Sequence, residues 1–140
     1  MTRGDRALYW AVGLTLAVSL LHGVVHAVVP VSIPPWQYGV AGLTTGLLPL
    51  FGLALVRTGR KRGGALTVGL AGGCALAFEG LAHFVVPNPD HVGTVSEGTV
   101  LFAGTATLST LGDVGLVAAA GWYLFHSRQG RATSATESST

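Results

Sequence analysis

Four apolar stretches, at residues 7–29, 38–56, 65–86 and 99–125, dominate the chain. Each is about the length of 20 residues that a helix needs to cross the hydrocarbon of a bilayer. The backbone of a segment in hydrocarbon must satisfy its own hydrogen bonds, so segments of this length are expected to be helical. Between them stand residues that end helices or belong in water. Pro30, Pro34 and Pro35 close the first stretch and permit the second, residues 57–64 form a polar hairpin, and Pro87-Asn88-Pro89-Asp90 stops the third. Only 10% of the residues are charged, against about 25% in soluble domains, too few to cover a water-facing surface. The expected fold is all-α: an integral membrane four-helix bundle in one domain, residues 1–126. Residues 127–140, polar and rich in Ser and Thr, are expected to form a disordered cytoplasmic tail.

The basic residues set an orientation. Arg3 and Arg6 precede the first stretch, Arg57, Arg60, Lys61 and Arg62 lie between the second and third, and Arg128 and Arg131 follow the fourth. The connector at 30–37 is uncharged, and that at 87–98 carries only Asp90 and Glu97. The positive-inside rule then places both termini and the middle hairpin in the cytoplasm of a multi-pass cell-membrane protein. Trp10, Trp36, Trp122 and Tyr123 fall near span ends, where interfacial aromatics belong. The first stretch is too long for a signal peptide and lacks a small-residue cleavage site, so it is expected to be retained. No basic stripe offers itself to nucleic acid. The expected partner is the bilayer, joined by other membrane subunits or further copies of the chain. The single cysteine, Cys74, cannot build a Cys-based metal site and is expected to be a buried small hydrophobe.

The ends of the first and third stretches repeat. Residues 21–30 align without gaps to residues 78–87, sharing Gly-x-x-His-x-Val-Val-Pro: Gly23, His26, Val28, Val29 and Pro30 match Gly80, His83, Val85, Val86 and Pro87. Leu43-Thr44-Thr45 aligns more weakly with Leu108-Ser109-Thr110. A repeat of two crossings keeps its direction, so the bundle reads as two parallel two-helix repeats about an axis along the membrane normal. His26 and His83 then lie at one depth, and His22 and Glu79 lie one turn deeper on the same helix faces.

Ionisable groups in a span are costly and are expected to face the bundle interior and find partners. His22, His26, Glu79 and His83 form one candidate cluster. Thr15 and Ser19 on the first stretch, with Thr105, Ser109 and Asp113 on the fourth, continue a polar lining. Three readings stay open. The cluster can be a metal site, with His22, His26, Glu79 and His83 as ligands of a transition metal. In a variant, His26 and His83 are the axial pair of haem b, with Gly23 and Gly80 leaving room for the macrocycle. It can be a proton path in which His22, Glu79 and Asp113 carry protons and Asp90 and His91 lie at the outer mouth. Or it can be a hydrogen-bonded polar core in an accessory subunit. No nucleophile triad, phosphate loop or CxxC is present, and no residue is singled out as catalytic. Gly42-x-x-x-Gly46 and Gly69-x-x-x-Gly73 match the small-xxx-small pattern and are expected to be helix contacts. Pro49 is expected to kink the second span, with Thr45 satisfying the freed backbone.

Gly80-Leu81-Ala82-His83-Phe84-Val85-Val86-Pro87 resembles the Gly-x-x-His-Phe-x-x-Pro segment of DoxX-like membrane proteins, short four-span proteins of which some are linked to quinone-dependent sulfur oxidation. The segment usually closes the first span in that family; here the better copy closes the third. The resemblance implies a redox or quinone-linked complex and transfers no catalytic residue.

Overall fold

A computed structural model describes residues 1–137, with side chains through His126. Its elements are α1 (Arg3–Val28), α2 (Pro35–Ala41), a π-helical stretch (Gly42–Leu47), α3 (Leu48–Arg57), α4 (Lys61–Phe84) and α5 (Thr99–Glu137). No strand occurs among the described residues. Four helical rods are long and apolar enough to cross a membrane: Arg3–Val28, Pro35–Arg57, Lys61–Phe84 and Thr99–His126. They fall on the four stretches expected from sequence. Within the tail expected over 127–140, α5 runs to Glu137, and the side chains and the last three residues lie outside the described ones.

Local chemistry sets the ends. Thr2 and Asp5 form a capping box at the start of α1, each side chain bonded to the other's backbone N–H. Pro35 opens α2 at a position where its missing N–H costs nothing. The hairpin between α3 and α4 turns on Gly59 at φ 86°, a conformation that favours glycine. The second span widens into a π-turn just before Pro49, with Leu48 N–H reaching back to Leu43 O. The Thr44 and Thr45 hydroxyls donate to Val40 O and Ala41 O, each at 2.8 Å. Thr45 thus bonds a carbonyl upstream of the π-turn, not the one that Pro49 leaves without an N–H.

α5 is the central rod. It packs along both α1 and α4, α3 packs on α4, and the second span touches α1 only sparsely. α1 and α5 run antiparallel, as their side-chain pairings show. Tyr123 Oη donates to Asp5 Oδ1 (3.2 Å), Thr15 Oγ1 to Gly112 O (2.9 Å), Ser19 meets Ser109 (3.1 Å) and His22 meets Thr105 (2.9 Å). α1 and α4 run parallel, with Lys61 beside Asp5 at one end and His83 beside His22 near the other. An apolar core of Leu8, Val12, Val68 and Leu116 fills the end near the termini, and a smaller one of Val25, Val29 and Phe102 closes the opposite end. The polar residues lie between them.

Close helix approach rests on glycines other than those of the expected pattern. A Cβ at Gly64 would collide with the Gly52 carbonyl oxygen, one at Gly52 would come within 2.9 Å of the Gly64 oxygen, and one at Gly72 would lie 2.6 Å from Leu116 Cβ. Gly69 does meet Ala120, but Gly42, Gly46 and Gly73 meet nothing within 4 Å. Tyr123, near the end of its span, is buried against Asp5, while Trp10, Trp36 and Trp122 are exposed. Cys74 is exposed on the apolar outer flank, not buried. That flank carries large side chains such as Leu20, Leu47 and Leu70, each at least 66% exposed.

Candidate metal centre and the cavity beside it

The repeat in sequence becomes a meeting point in space. The ends of α1 and α4 bring His22, His26 and His83 together, with one ligand atom from each within 4.8 Å of the others. Ring centroids are 4.6 Å apart for His22–His26, 4.9 Å for His22–His83 and 6.2 Å for His26–His83. Phe102 of α5 packs against all three rings and is itself fully buried.

The carboxylate in this group is Asp90, not Glu79. Asp90 comes from the connector after α4, which folds back over the helix end. Val92 N–H bonds His83 O, and Asn88 bonds Ala82 O and accepts from Asp90 N–H. These bonds bury Asp90 and set Oδ1 3.2 Å from His26 Nε2 and Oδ2 3.4 Å from His83 Nδ1. Glu79 lies a turn below the rings, within hydrogen-bonding reach of Ser109, with its Oε2 unpartnered. The sequence places Asp90 only at the outer mouth; the structure makes it a partner of both histidines. The only signal for it was its position next to the Pro-rich stop, close in chain to the repeat's second histidine. His91 bonds the backbone of its own turn and stays apart from the cluster.

Hydrogen bonds set the ring tautomers. The Thr105 hydroxyl has one proton, which goes to the carbonyls of Leu101 and Phe102. Thr105 Oγ1 therefore accepts from His22 Nδ1–H, leaving the lone pair of neutral His22 on Nε2. The carbonyl of Asp90 can only accept, so His83 Nδ1 carries a proton and its Nε2 is the lone-pair atom. Orientation of a ligand histidine through its other ring nitrogen is the usual support of a metal site. His26 Nε2 lies 3.1 Å from His22 Nε2 and faces Asp90 as well. Both are acceptors, so His26 Nε2 holds the proton and its buried Nδ1 is an acceptor with no partner.

The arrangement suits a small cation better than a macrocycle. Asp90 lies against His26 Nε2, a nitrogen that an iron held by the two histidines would need. Gly23 and Gly80 are open to their surroundings, but of the two only Gly23 borders the adjoining cavity. That cavity, about 350 Å³, lies between α1, the second span and α4, and touches His22, His26, His83, Asp90 and Glu79. Asp113 sits deeper, between α5 and the glycine face of α4. It is fully buried, and neither carboxyl oxygen has a partner. Comparison with protein-family models, curated proteins and solved structures finds no match to this chain.

Proposed function

We propose that the chain is a multi-pass membrane protein that binds one divalent transition-metal ion through His22, His26, His83 and Asp90, within the outer half of a bundle whose termini are cytoplasmic. The observation that carries this reading is the convergence of three buried imidazoles within 4.8 Å together with a buried carboxylate on two of them. Three nitrogens and one oxygen suit zinc, iron or copper by ligand type. The large apolar side chains on the outer flank support the membrane reading, since bilayer hydrocarbon covers them without cost. The pseudo-symmetry of Gly23–Pro30 and Gly80–Pro87 accounts for two of the imidazoles, and the DoxX-like segment that includes His83 is in keeping with a redox-linked complex. In the metal-free state the His26 Nε2 proton lies between His22 and Asp90. A metal ion on Nε2 would move this proton to Nδ1 of the neutral ring, and uptake is expected to weaken as pH falls because a protonated imidazole cannot bind.

The test is metal content and affinity of the protein purified in detergent, with cobalt as an optical probe of coordination. One equivalent of metal is expected, with d–d bands of nitrogen and oxygen ligation. His26→Ala and His83→Ala are each expected to remove it, and the double variant to remove no more than either single one. Metal-free protein that binds no cobalt, and single variants whose stability losses merely add, would leave a hydrogen-bonded structural core in its place.

A second reading has its own observation. Glu79 Oε2 and both oxygens of Asp113 are buried without partners, and unpaired acids within spans mark proton paths. On this reading the two acids relay protons below the metal. Asp113→Asn would then abolish proton flux in proteoliposomes while leaving metal content unchanged.

A further inference from the structure

Three of the glycines that pack against nothing stand on the wall of one cavity. A Cβ added at Gly23, Gly42 or Gly46 would meet no atom within 4 Å, and all three border the 350 Å³ space beside the histidines. Helix packing therefore does not explain why these positions are small. Their effect is to keep the space open. It is open sideways too, because the second span touches α1 only sparsely, and Gly23, Gly42 and Leu20 at the gap are exposed.

A second observation concerns polarity. Four buried atoms without hydrogen-bond partners belong to residues on this wall: His26 Nδ1, Gln37 Oε1, Glu79 Oε2 and Asp90 Oδ1. Each is an acceptor, the first through the tautomer assigned above. Buried polar groups are seldom left unpaired, so an occupant that donates hydrogen bonds is called for. The rest of the wall is mainly apolar, with Leu16 and Phe78 among its side chains.

We infer that the cavity binds a membrane-dissolved alcohol or phenol, which enters through the gap between α1 and the second span and donates its hydroxyl to these acceptors. Water donates equally well but offers nothing to the apolar wall. The inference rests on the membrane reading above and does not need the metal; with a metal on His26 Nε2, Gln37 Oε1 and Glu79 Oε2 remain as acceptors.

The experiment uses the full chain in phosphatidylcholine nanodiscs. The probes are a photoactivatable 4-alkylphenol and the alkylbenzene that differs from it only in lacking the hydroxyl. Cross-linked positions are read by peptide mass spectrometry, and metal content is measured on the same samples. The phenol is expected to label the peptides around Gly23, Gly42 and Phe78 saturably, with about tenfold preference over the hydrocarbon, the worth of one net hydrogen bond. Gly46→Leu and Gly42→Leu fill space where nothing packs, and each is expected to abolish the label with helicity and metal content unchanged. Equal labelling by both probes, labelling that does not saturate, or full labelling of both variants would overturn the pocket. Labelling of a metal-free protein upholds the pocket and sinks only the metal. A protein that stays soluble without detergent or disc sinks both.

Discussion

Thr105 is the residue on which the ligand set turns, although it touches no ion. Its proton goes to its own helix backbone, which obliges its oxygen to accept from His22 and turns the other ring nitrogen toward His26. Loss of such an orienting partner costs about 10–100-fold in metal affinity. Thr105→Val is therefore expected to weaken cobalt binding by that factor while leaving the helices intact, as read by titration against a competing chelator. Asp90 and Glu79 can be separated in the same assay. Asp90→Asn is expected to lower affinity at least as far as Thr105→Val, whereas Glu79→Gln leaves it within about threefold, because Glu79 lies outside the ring cluster. The reverse ranking would return Glu79 to the ligand set. Asp113 presents the opposite situation, a fully buried carboxyl that makes no hydrogen bond. An uncompensated acid at a span centre costs about 2.5–3.5 kcal/mol on insertion scales. Asp113→Asn is accordingly expected to melt at the same or a higher temperature than the parent; a lower melting point would reveal a partner for the carboxyl.

Among the elements, α3 and α4 are joined closely through their hairpin, whereas the second span meets α1 only sparsely. Gly52 and Gly64 face each other so closely that a Cβ on either meets backbone oxygen, and backbone cannot move aside as a side-chain tip can. Gly64→Val is expected to cost at least the 1–3 kcal/mol or so typical of overpacking, while Gly42→Val, facing open space, costs less than about 1 kcal/mol from helix propensity and stiffness. Equilibrium unfolding in mixed micelles measures both, and equal losses would contradict the packing described. Pattern reading failed here for a physical reason. Gly-x-x-x-Gly at 42–46 and 69–73 shows only that one face of a helix is smooth, and α5 chose the Gly69 and Gly72 side of α4 while nothing chose Gly42 and Gly46. The π-turn adds to this, since an extra residue per turn ahead of Pro49 shifts the faces of the second span relative to a regular helix.

At the scale of the molecule, polarity sets the order of layers and charge distinguishes the two ends. The Lys and Arg residues near the spans gather at one end of the bundle, where Lys61 also meets the buried Asp5, and that end is expected to face the cytoplasm. In a Cys74→Ala background, single cysteines at Ser32 and Ser96 are expected to react with an impermeant maleimide added to intact cells, and one at Gly63 only after lysis. Gly63 labelled from outside would invert the orientation. Between the two apolar cores the polar side chains of α1 and α5 pair in register, from Thr15 with Gly112 up to His22 with Thr105.

Much of this was determined by local chemistry that the sequence carries by itself. Four helices of membrane-spanning length follow from runs of apolar residues and their proline and basic stops, because each helix satisfies its own backbone. The level of His26 and His83 follows from equal distances to Pro30 and Pro87 in two parallel helices. The inward polar faces of α1 and α5 follow from helical spacing. Tertiary structure alone decided which groups complete the cluster. Asp90 reaches His26 and His83 only because the connector folds back through bonds to the end of α4, and no periodicity governs a loop. Glu79 matches His22 in the repeat but is drawn toward Ser109, because the rotation of α4 is set by its glycine face packing on α5. The lateral gap and its cavity are likewise invisible in sequence, since they arise where two apolar helices do not meet, and an absence of contact leaves no pattern in the chain.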